Sequence, residues 1–302
     1  MTHIFIVNPS AGKNKNFAEE LRSHLEKMEN LDYYIFNTRY AGYESEIVRQ
    51  VREVFMDEKL RFYSCGGSGT FRNMLNGFDD FENVEIAMYP QGIANDFVKV
   101  FSEDWERFQD IEELIHGDVV MVDYMKTNRG ICANHFSVGI DARVISITTK
   151  NRESCLIGRN VPYVLPVMES MITSRDREFG ITVDGENMDG NYMQIIFGNG
   201  RVLSGNLHYS KEPDITDGAG DYFLVPGGGF RLPVFLTMYR ADYEKFDKVA
   251  QCGQWKKIRL VSKDGKPIVA NQDGVLVYDQ LRWDIEIVPG GLPFVVPKGV
   301  GE

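Results

Sequence analysis

Residues 66–70, with the sequence Gly-Gly-Ser-Gly-Thr, could bind a phosphate group through main-chain amides. The segment follows a predicted strand over residues 59–63 and precedes a helix-like run of apolar residues over 71–78. Glycines let the chain turn tightly and bring N–H groups close to a ligand, and a helix that begins there adds the positive end of its dipole. We therefore expect a strand, a phosphate-binding glycine loop and a helix in this order.

Two observations limit this interpretation of the glycine loop. A glycine-rich turn between a strand and a helix is often only a turn. The common nucleotide-binding patterns are also incomplete, because Arg72 stands where a dinucleotide fingerprint needs glycine and Val7 stands where a P-loop ending at Gly12-Lys13 needs its first glycine. A nucleotide bound here would be held by a different kind of glycine loop.

Acidic side chains in two further loops could hold a divalent cation. Asp217 and Asp221, with Asp214 nearby, have a spacing typical of acidic loops that bind Mg²⁺ or Ca²⁺. A solvated acidic loop fits the same pattern. Asp96 follows a turn that opens a predicted helix, so it lies either near bound phosphates or at the helix N-cap. The five histidines show no ligand spacing and are predicted to be structural.

Strands that alternate with helices must position these loops in the first 120 residues. The predicted buried strands are residues 3–8, 33–36, 59–63 and 85–89. Between them, apolar residues recur at helical spacing. Thr38 lies at the carboxyl end of the second strand, where open α/β sheets bind ligands. The alternation predicts a doubly wound α/β domain to about residue 120.

From Val119 onward, short alternating segments separated by turns predominate. Asp-Gly and Asn-Gly pairs mark several of the turns, as in antiparallel hairpins. The predicted strands are residues 120–126, 130–138, 179–183, 193–197, 221–225, 257–261, 267–270, 275–278 and 282–288. A helical stretch interrupts them within residues 144–178, and a second helix is predicted over about 232–246 with Phe235, Leu236, Met238 and Tyr239 facing inward. The pattern indicates an antiparallel sandwich or barrel.

Composition excludes several classes of protein. With 302 residues, 43% of them hydrophobic and 25% charged, the chain is long enough for two globular domains. The net charge of -11 disfavours nucleic-acid partners and polybasic membrane anchors, because both need clustered Lys and Arg. Four widely spaced cysteines fit a reducing, cytoplasmic setting. Neither a signal peptide nor a membrane-spanning apolar segment is predicted.

Four segments make the chain resemble the diacylglycerol kinase catalytic-domain family of lipid kinases, which includes sphingosine-kinase-like members. They are similar, in the same order, to the family's Asn-Pro loop, Gly-Gly-Asp-Gly-Thr signature, Pro-x-Gly-Thr-x-Asn-Asp-Phe loop and Gly-Phe-Asp-Ala segment. In this sequence they are residues 8–12, 66–70, 90–97 and 138–142. Asp217-Gly218, Asp273-Gly274 and residues 289–297 extend the similarity to nearly the whole chain.

The resemblance implies a doubly wound α/β nucleotide-binding domain over residues 1–120, to which residues 289–302 return, and an antiparallel β-sandwich lipid-substrate domain over residues 121–288. It implies a cleft between them for ATP-Mg and a lipid hydroxyl, with Asp273 as the general base. The nucleotide-binding residues that it implies are Asn8, Thr38, Gly66, Gly67, Ser68, Gly69, Thr70 and Asn95, and the metal-binding residues are Asp96, Asp217 and Asp221. Phosphoryl transfer needs mainly positioning and charge neutralisation, so this inventory is sufficient.

Two carboxylates of the family pattern are absent. Ser68 stands where the family has aspartate, and Val275 stands where glutamate follows Asp273-Gly274. A serine hydroxyl binds Mg²⁺ less well than a carboxylate does. Two functions therefore stay open, an ATP-dependent lipid kinase with an altered metal shell and a catalytically impaired homologue that binds nucleotide or lipid. An NAD kinase-like enzyme, which shares the glycine loop, ranks below both.

Basic residues beside an apolar segment indicate a contact with a membrane surface. Lys150, Arg152 and Arg159 precede the apolar run at residues 163–171 in an otherwise acidic chain. An apolar run of this kind more often belongs to the hydrophobic core of a protein. A lipid kinase, however, must bind its substrate at a membrane surface. We therefore expect a peripheral contact here, at the inner membrane face. The sequence leaves open which lipid is used and whether the chain forms a homodimer.

Overall fold

The computed structural model describes residues 1–12, 14–92, 94–101, 104–153 and 164–300. The chain forms two compact units, one of Met1–Tyr124 with Pro289–Glu302 and one of Met125–Val288. The first unit is mixed α/β and the second is mainly β with four helices among its described residues. The last residues of the chain thus belong to the same unit as its first residues.

Strands and helices alternate in the first unit. Its elements are β1 (Thr2–Val7), α1 (Phe17–Leu25), β2 (Tyr33–Asn37), α2 (Tyr43–Val54), β3 (Leu60–Gly66), α3 (Ser68–Leu75), β4 (Val84–Pro90), α4 (Ile111–Ile115) and β5 (Asp118–Thr127), whose end belongs to the second unit, with 3-10 turns at Val98–Val100 and Trp105–Gln109. β1 pairs in parallel with β2 and β3, and β3 pairs in parallel with β4. The strand order is therefore β2-β1-β3-β4.

The central strands of this sheet are buried along their whole length. Every residue of β1 and of β3 is buried, as expected for parallel strands covered on both faces. α3 buries Phe71, Met74 and Leu75. Because the strands run in parallel, their carboxyl ends lie at one edge of the sheet. The loops that begin at Asn8 and Thr38 therefore share an edge with the glycine loop.

A buried ion pair stabilises the sheet away from that edge. Arg61 of β3 donates from Nε to Oε2 of Glu85 on β4 at 2.7 Å, and Lys59 Nζ lies 2.6 Å from Glu85 Oε1. Arg61 Nη1 also donates to the carbonyls of Leu114 and Ile115 at 2.7 and 2.9 Å. The Arg61 guanidinium thus holds the end of α4 against the sheet, so the role of this residue is structural.

The second unit is built on antiparallel strands. Its elements are β6 (Gly130–Cys132), β7 (His135–Gly139), α5 (Ile140–Glu153), α6 (Val164–Thr173), β8 (Arg177–Val183), β9 (Glu186–Asn187), β10 (Gly190–Gly198), β11 (Val202–Leu203), β12 (Leu207–His208), β13 (Gly220–Pro226), α7 (Arg231–Tyr239), α8 (Phe246–Val249), β14 (Gln251–Trp255), β15 (Lys257–Ser262), β16 (Ile268–Gln272), β17 (Val275–Gln280) and β18 (Arg282–Val296), whose end belongs to the first unit. Neighbouring strands follow the order β17-β16-β7-β10-β8-β15-β18, and β13 pairs with β10 and β14. The packing of these strands as a sandwich stays a prediction.

The inward orientation predicted for Tyr239 is wrong. The helix expected over about 232–246 is α7, followed by a 3-10 turn at Tyr243–Lys245 and the short α8. Within α7, Thr237 and Met238 are buried, whereas Tyr239 is 53% exposed and Leu232 is 59% exposed. Because α7 is apolar on nearly all sides, periodicity could not select its buried face.

Across the described residues, no helix has both the length and the apolar character needed to cross a membrane. The basic segment for which membrane contact is expected lies mostly outside the described part. Arg159 and the side chains of Lys150 and Arg152 are not among the described residues. The expected contact at this segment stays a prediction.

Candidate functional site

Main-chain hydrogen bonds join the loops at the carboxyl edge of the parallel sheet. The amide of Asn8, after β1, donates to the carbonyl of Cys65 on β3 at 3.0 Å. The amide of Gln91, after β4, donates to the carbonyl of Gly66 at 2.8 Å. Thr38 donates its amide to the last residue of β1 at 2.8 Å. The loops after these four strands are therefore held at one edge.

Side-chain contacts connect the Asn8 loop to the glycine loop. Asn8 Nδ2 donates to the hydroxyl of Thr70 at 2.9 Å, and Asn8 Oδ1 accepts from the amide of Ser10 at 2.9 Å. Thr70 is buried in the first turn of α3. Two of the predicted nucleotide-binding residues are thus in direct contact, and Asn8 fixes the start of the helix that follows the glycines.

The glycine loop leads into α3 as the sequence predicts. Gly67 is the N-cap with extended backbone (φ -94°, ψ -176°), and no side chain described in the structure caps the helix. The first amides of such a helix have no partner within it and attract anions. A Cβ on Gly66 would lie only 2.5 Å from the Thr70 hydroxyl, so glycine is required for this close approach. The predicted order of strand, glycine loop and helix is confirmed.

A second loop, residues 91–96, contacts the glycine loop. A Cβ on Gly92 would lie 2.8 Å from Gly67 Cα and 2.9 Å from Oδ1 of Asn95. Asn95 is buried in the left-handed conformation (φ 52°), and its Oδ1 has no hydrogen-bond donor among the described residues. A buried acceptor without a donor is uncommon in folded proteins. A ligand that brings an N–H or O–H group to this point would satisfy it.

Aromatic packing holds this second loop in place. The ring of Phe97 stacks on Phe71 of α3 at 5.3 Å and meets the edge of Phe294 on β18 at 5.0 Å. Gln109 donates to the carbonyl of Pro90 at 2.7 Å, at the other end of the loop. Asp96, beside Phe97, is buried, and its predicted metal role stays a prediction.

Asp273, the predicted general base, lies in the turn between β16 and β17. It is buried, with φ of 48°, and its carboxylate accepts from three main-chain amides, those of Ala133 at 2.6 Å, Asn134 at 3.1 Å and His135 at 2.8 Å. These amides occupy the oxygens that a general base would use, and they hold the turn between β6 and β7. The catalytic role of Asp273 stays a prediction.

The acidic loop predicted to bind metal has its own protein partners. Asp217 Oδ2 accepts from Gln254 at 3.0 Å, and the carboxylate of Asp221 accepts from the hydroxyl of Ser210. Burial raises the pKa of Asp221 above its usual range. Within the described ranges, no group of three His, Cys, Asp or Glu side chains could hold a metal ion. Asp217 and Asp221 lie in the second unit and Asp96 in the first, so their joint metal role stays a prediction.

Asp141 is a buried carboxylate that the predicted site did not include. It accepts from the hydroxyl of Ser137 at 2.5 Å, the hydroxyl of Ser204 at 2.6 Å and the side-chain amide of Asn271 at 2.6 Å. Burial by itself would raise the pKa of Asp141, but the nearby His135 ring and the two hydroxyls lower it to about 2. Asp141 is therefore an anion at neutral pH.

The two buried carboxylates share one histidine neighbour. Nε2 of His135 lies 3.7 Å from Asp141 Oδ2, and Nδ1 lies 3.8 Å from Asp273 Oδ1. Both distances are longer than an ordinary hydrogen bond, so the ring is a close neighbour of the two carboxylates. Ser137 and Asn271 are polar residues within mainly apolar strands, but this pattern alone does not show that they meet at Asp141.

Asp141 also lines an apolar cavity of about 50 Å³ in the second unit. The polar lining residues are Asp141, Gln194, Ser204 and Arg231. The apolar lining residues are Ile140, Val144, Met171, Met193, Ile196, Leu203, Leu207, Val234, Phe235 and Met238. The cavity is therefore small and mainly apolar, with four polar side chains in its lining.

Residues 2–127 match the diacylglycerol kinase catalytic domain. This segment contains the Asn8 loop, the glycine loop and the Asn95 loop, so the resemblance drawn from the sequence motifs is confirmed. The chain is similar over 305 aligned residues, at 24% identity, to the "Probable lipid kinase YegS-like" protein of Shewanella frigidimarina, covering 98% of this chain and 94% of that protein.

Two further proteins show a similar likeness to this chain. The "Putative lipid kinase YtlR" of Bacillus subtilis is 26% identical over 155 residues, which are 48% of this chain and 50% of that protein. The crystal structure of "a putative diacylglycerol kinase" from Bacillus anthracis superposes with a TM-score of 0.75 at 19% identity, covering 99% of this chain and 96% of the other. The mixed α/β fold is therefore shared with that protein.

Proposed function

We propose that this protein is an ATP- and Mg²⁺-dependent lipid kinase that transfers the γ-phosphate to a hydroxyl of diacylglycerol or a related lipid. The observation that carries the proposal is the contact between the glycine loop and the Asn95 loop. There, the start of α3 lies beside the buried Oδ1 of Asn95, which has no donor within the part of the chain that the structure describes. Amide donors and one unsatisfied acceptor suit a ligand that carries both phosphate oxygens and N–H or O–H groups, as ATP does.

The residues of the first unit would have distinct tasks in binding the nucleotide. The amides of residues 67–70 would bind phosphate oxygens, and Asn95 Oδ1 would accept from the base or the ribose. Asn8 would hold the Thr70 hydroxyl in place through their 2.9 Å hydrogen bond. Mg²⁺ would neutralise charge that develops on the transferred phosphoryl group. Asp96 is the carboxylate nearest in sequence to these residues that could hold it.

The second unit would bind the lipid. The cavity beside Asp141 is lined mainly by apolar side chains that would contact part of an acyl chain, and a lipid hydroxyl would replace one of the three donors that now contact the Asp141 carboxylate. Ser204 lines the same cavity and donates a hydrogen bond to Asp141, so it would orient the Asp141 carboxylate. A neutral glycerolipid with a free hydroxyl meets these requirements.

A phosphorylation assay tests the proposal. The full-length chain is incubated with radiolabelled ATP, Mg²⁺ and a panel of acceptors that includes diacylglycerol, sphingoid bases and NAD. We expect a labelled phospholipid, a large loss of nucleotide-dependent thermal stabilisation in Asn95→Ala, and wild-type behaviour in Asn83→Ala. Asn83 is a matched control because it also adopts the left-handed conformation (φ 55°). Label transferred to NAD alone, or stabilisation by ATP that Asn95→Ala leaves unchanged, would overturn the proposal.

A second candidate function is a homologue that binds nucleotide without turning it over. The three amides that occupy the carboxylate of Asp273, together with Ser68 and Val275 in place of carboxylates, favour this candidate. Such a protein would be stabilised thermally by ATP and Mg²⁺ but would label no lipid in the panel. The same assay therefore separates the two candidates.

A further inference from the structure

The carboxylate of Asp141 divides its donors unequally between its two oxygens. Oδ2 accepts from Ser137 at 2.5 Å and from Asn271 at 2.6 Å. Within the part of the chain that the structure describes, Oδ1 accepts from a single side chain, the hydroxyl of Ser204 at 2.6 Å. A ligand that donates to Oδ1 in place of Ser204 would therefore leave both hydrogen bonds of Oδ2 unbroken.

Ser204 is the least firmly held of these three donors. Ser137 on β7 and Asn271 on β16 face each other across paired strands, and both side chains are fully buried. Ser204 is half-buried in the turn between β11 and β12, which form a separate two-stranded sheet. A two-stranded hairpin is only marginally stable by itself. The turn can therefore move with little disturbance of the strands that hold the other two donors.

Ser204 has a backbone conformation that is unusual for a residue with a Cβ. Its φ of 53° lies in the left-handed region, which glycine adopts freely and which Asn and Asp favour more than serine does. Within the described residues, its side chain makes one hydrogen bond, the bond to Asp141. A group that takes over this oxygen of Asp141 would remove the side-chain contact that opposes relaxation of the turn.

The side chains of Ser204 and Asp141 both line the apolar cavity of the second unit. The two other polar lining residues have partners of their own. Gln194 accepts from the main-chain amide of Asp141 at 2.9 Å, and Arg231 pairs with Asp176 at 2.9 Å. At about 50 Å³, the cavity has room for a few water-sized groups. A larger molecule reaches the Asp141 carboxylate only if part of the lining moves.

We propose that the Ser204 hydroxyl occupies the place of the substrate hydroxyl at Oδ1 of Asp141 and leaves it when a lipid binds. Serine presents a CH₂–OH group, which is also the reacting end of a lipid with a primary hydroxyl. Only molecules in which the Ser204 hydrogen bond is open are competent to bind, which weakens the apparent affinity for the lipid. The inference rests on the proposed lipid-kinase function and deepens it, since it names a residue of this chain that competes with the lipid.

Lipid binding without ATP tests the inference. The dissociation constant of dioctanoylglycerol, at concentrations below its aggregation limit, is measured by calorimetry for the full-length chain and for Ser204→Ala. We expect Ser204→Ala to bind about threefold or more tightly, because the lipid hydroxyl then satisfies an oxygen of Asp141 that has lost its donor. The variant should fold, since the chain already has an alanine in the left-handed conformation at Ala241 (φ 51°).

Two matched variants separate this effect from a general loss of hydrogen bonds. Ser262→Ala also removes a serine hydroxyl that donates to an aspartate, Asp264 at 2.8 Å, but Ser262 is not part of the cavity lining. It should bind the lipid as the wild type does. Ser137→Ala removes a donor from the other oxygen of Asp141 and should not bind the lipid more tightly. An equal gain of affinity in Ser137→Ala and Ser204→Ala would overturn the inference.

A lipid that cannot donate tests the exchange of hydroxyls directly. In the methyl ether of dioctanoylglycerol, the free hydroxyl is replaced by a group that accepts a hydrogen bond but does not donate one. Ser204→Ala should raise the affinity for dioctanoylglycerol and leave the affinity for the ether unchanged. An equal gain for the two lipids would contradict the proposed exchange, and so would the absence of dioctanoylglycerol binding in both proteins.

Turnover separates this inference from the proposed function. With ATP and Mg²⁺, Ser204→Ala should have a lower KM for dioctanoylglycerol and the wild-type KM for ATP, because Ser204 and the glycine loop belong to different units. Tighter lipid binding without phosphorylation of any acceptor would overturn the kinase proposal and support the competition by Ser204. Phosphorylation in which Ser204→Ala leaves the KM for the lipid unchanged would do the reverse.

Discussion

The side-chain amide of Asn271 donates to the carboxylate of Asp141 at 2.6 Å. The same side chain accepts from the amide of Gly274 at 2.8 Å through its Oδ1, so it also orders the turn that holds Asp273. One asparagine on β16 therefore connects the proposed lipid-binding carboxylate to the predicted general base. A movement of the turn that carries Asp273 would therefore strain the hydrogen bond between Gly274 and Asn271, and through Asn271 it would reach Asp141.

Asp141→Asn should destabilise the protein by about 1–3 kcal/mol, because an amide cannot accept from all three of the donors that now contact Asp141. At least one of the groups on Ser137, Ser204 and Asn271 would lose its acceptor in a buried place. Urea unfolding measures the free-energy change. Asp57→Asn, at an exposed position, is the control and should leave the stability unchanged. Equal midpoints for the two variants would mean that the buried cluster contributes nothing.

The stability of the wild type should fall as the pH falls from about 6.5 to about 4, and His3 should account for part of the fall. Burial, together with the nearby Arg61, lowers the pKa of His3 from 6.5 to about 4. Its ring lies 2.7 Å from the Tyr63 hydroxyl in a buried pair. The unfolded chain takes up the proton below pH 6.5 while the folded chain does not, so acid favours unfolding over this range.

His3→Gln should have a shallower loss of stability than the wild type over this range of pH. The free energy of unfolding in urea, measured for both proteins from about pH 7 to about pH 4, gives the two slopes. Parallel curves would show that His3 takes up its proton equally well in the folded and unfolded states, contrary to its burial.

The parallel sheet and its loops could be predicted from the sequence because the signals are local. Residues 3–8 contain an apolar run of strand length, residues 59–63 combine Leu60, Phe62 and Tyr63 with two charged residues, and glycines mark the following turns. The structure extends the second run to Leu60–Gly66, so the strand continues into the glycine signature. Strand propensity alone could not predict where β3 ends, because main-chain pairing with β1 and β4 determines its last residue.

The Asp141 cluster could not be predicted because its contacts are remote in sequence. Ser204 and Asn271 lie 63 and 130 residues from Asp141. The sequence motif at residues 138–142 includes Asp141. The three hydrogen-bond donors that surround its carboxylate come together only when the strands pair. The outward face of α7 escaped prediction for a different reason, since the helix offers apolar side chains on both faces and only packing decides which is covered.

Gly92→Ala should weaken nucleotide binding while leaving the fold intact. The added Cβ would lie 2.8 Å from Gly67 Cα, which is main chain and cannot move aside without displacing the glycine loop. Overpacking of this kind costs about 1–3 kcal/mol, so we expect ATP-dependent thermal stabilisation to fall sharply. Gly180→Ala is the control, because its nearest neighbour would be 3.5 Å away. If ATP stabilised both variants equally, the two loops would not form the binding site.

Arg61→Met should destabilise the protein by about 3–5 kcal/mol, because it leaves the buried carboxylate of Glu85 without its main partner. Because Lys59 also contacts Glu85, the destabilisation should lie near the lower end of this range. Adding Glu85→Leu should recover most of the stability, since both charges are then gone. Arg52→Met is the control, because its pair with the exposed Asp80, at 3.3 Å, lies at the surface. We expect less than about 1 kcal/mol there, by urea unfolding.

Ser68→Asp should raise lipid phosphorylation, because it restores the carboxylate that the family signature carries at the start of α3. Near bound phosphates this carboxylate repels the nucleotide unless Mg²⁺ lies between them, and Mg²⁺ prefers anionic oxygen ligands. Thermal stabilisation by ATP should therefore decrease without Mg²⁺ and increase with it, and the turnover number should rise by about tenfold or more. Ser68→Asn has nearly the same shape without the charge and should change neither quantity. If the two variants behaved alike, the missing carboxylate would not be what limits catalysis.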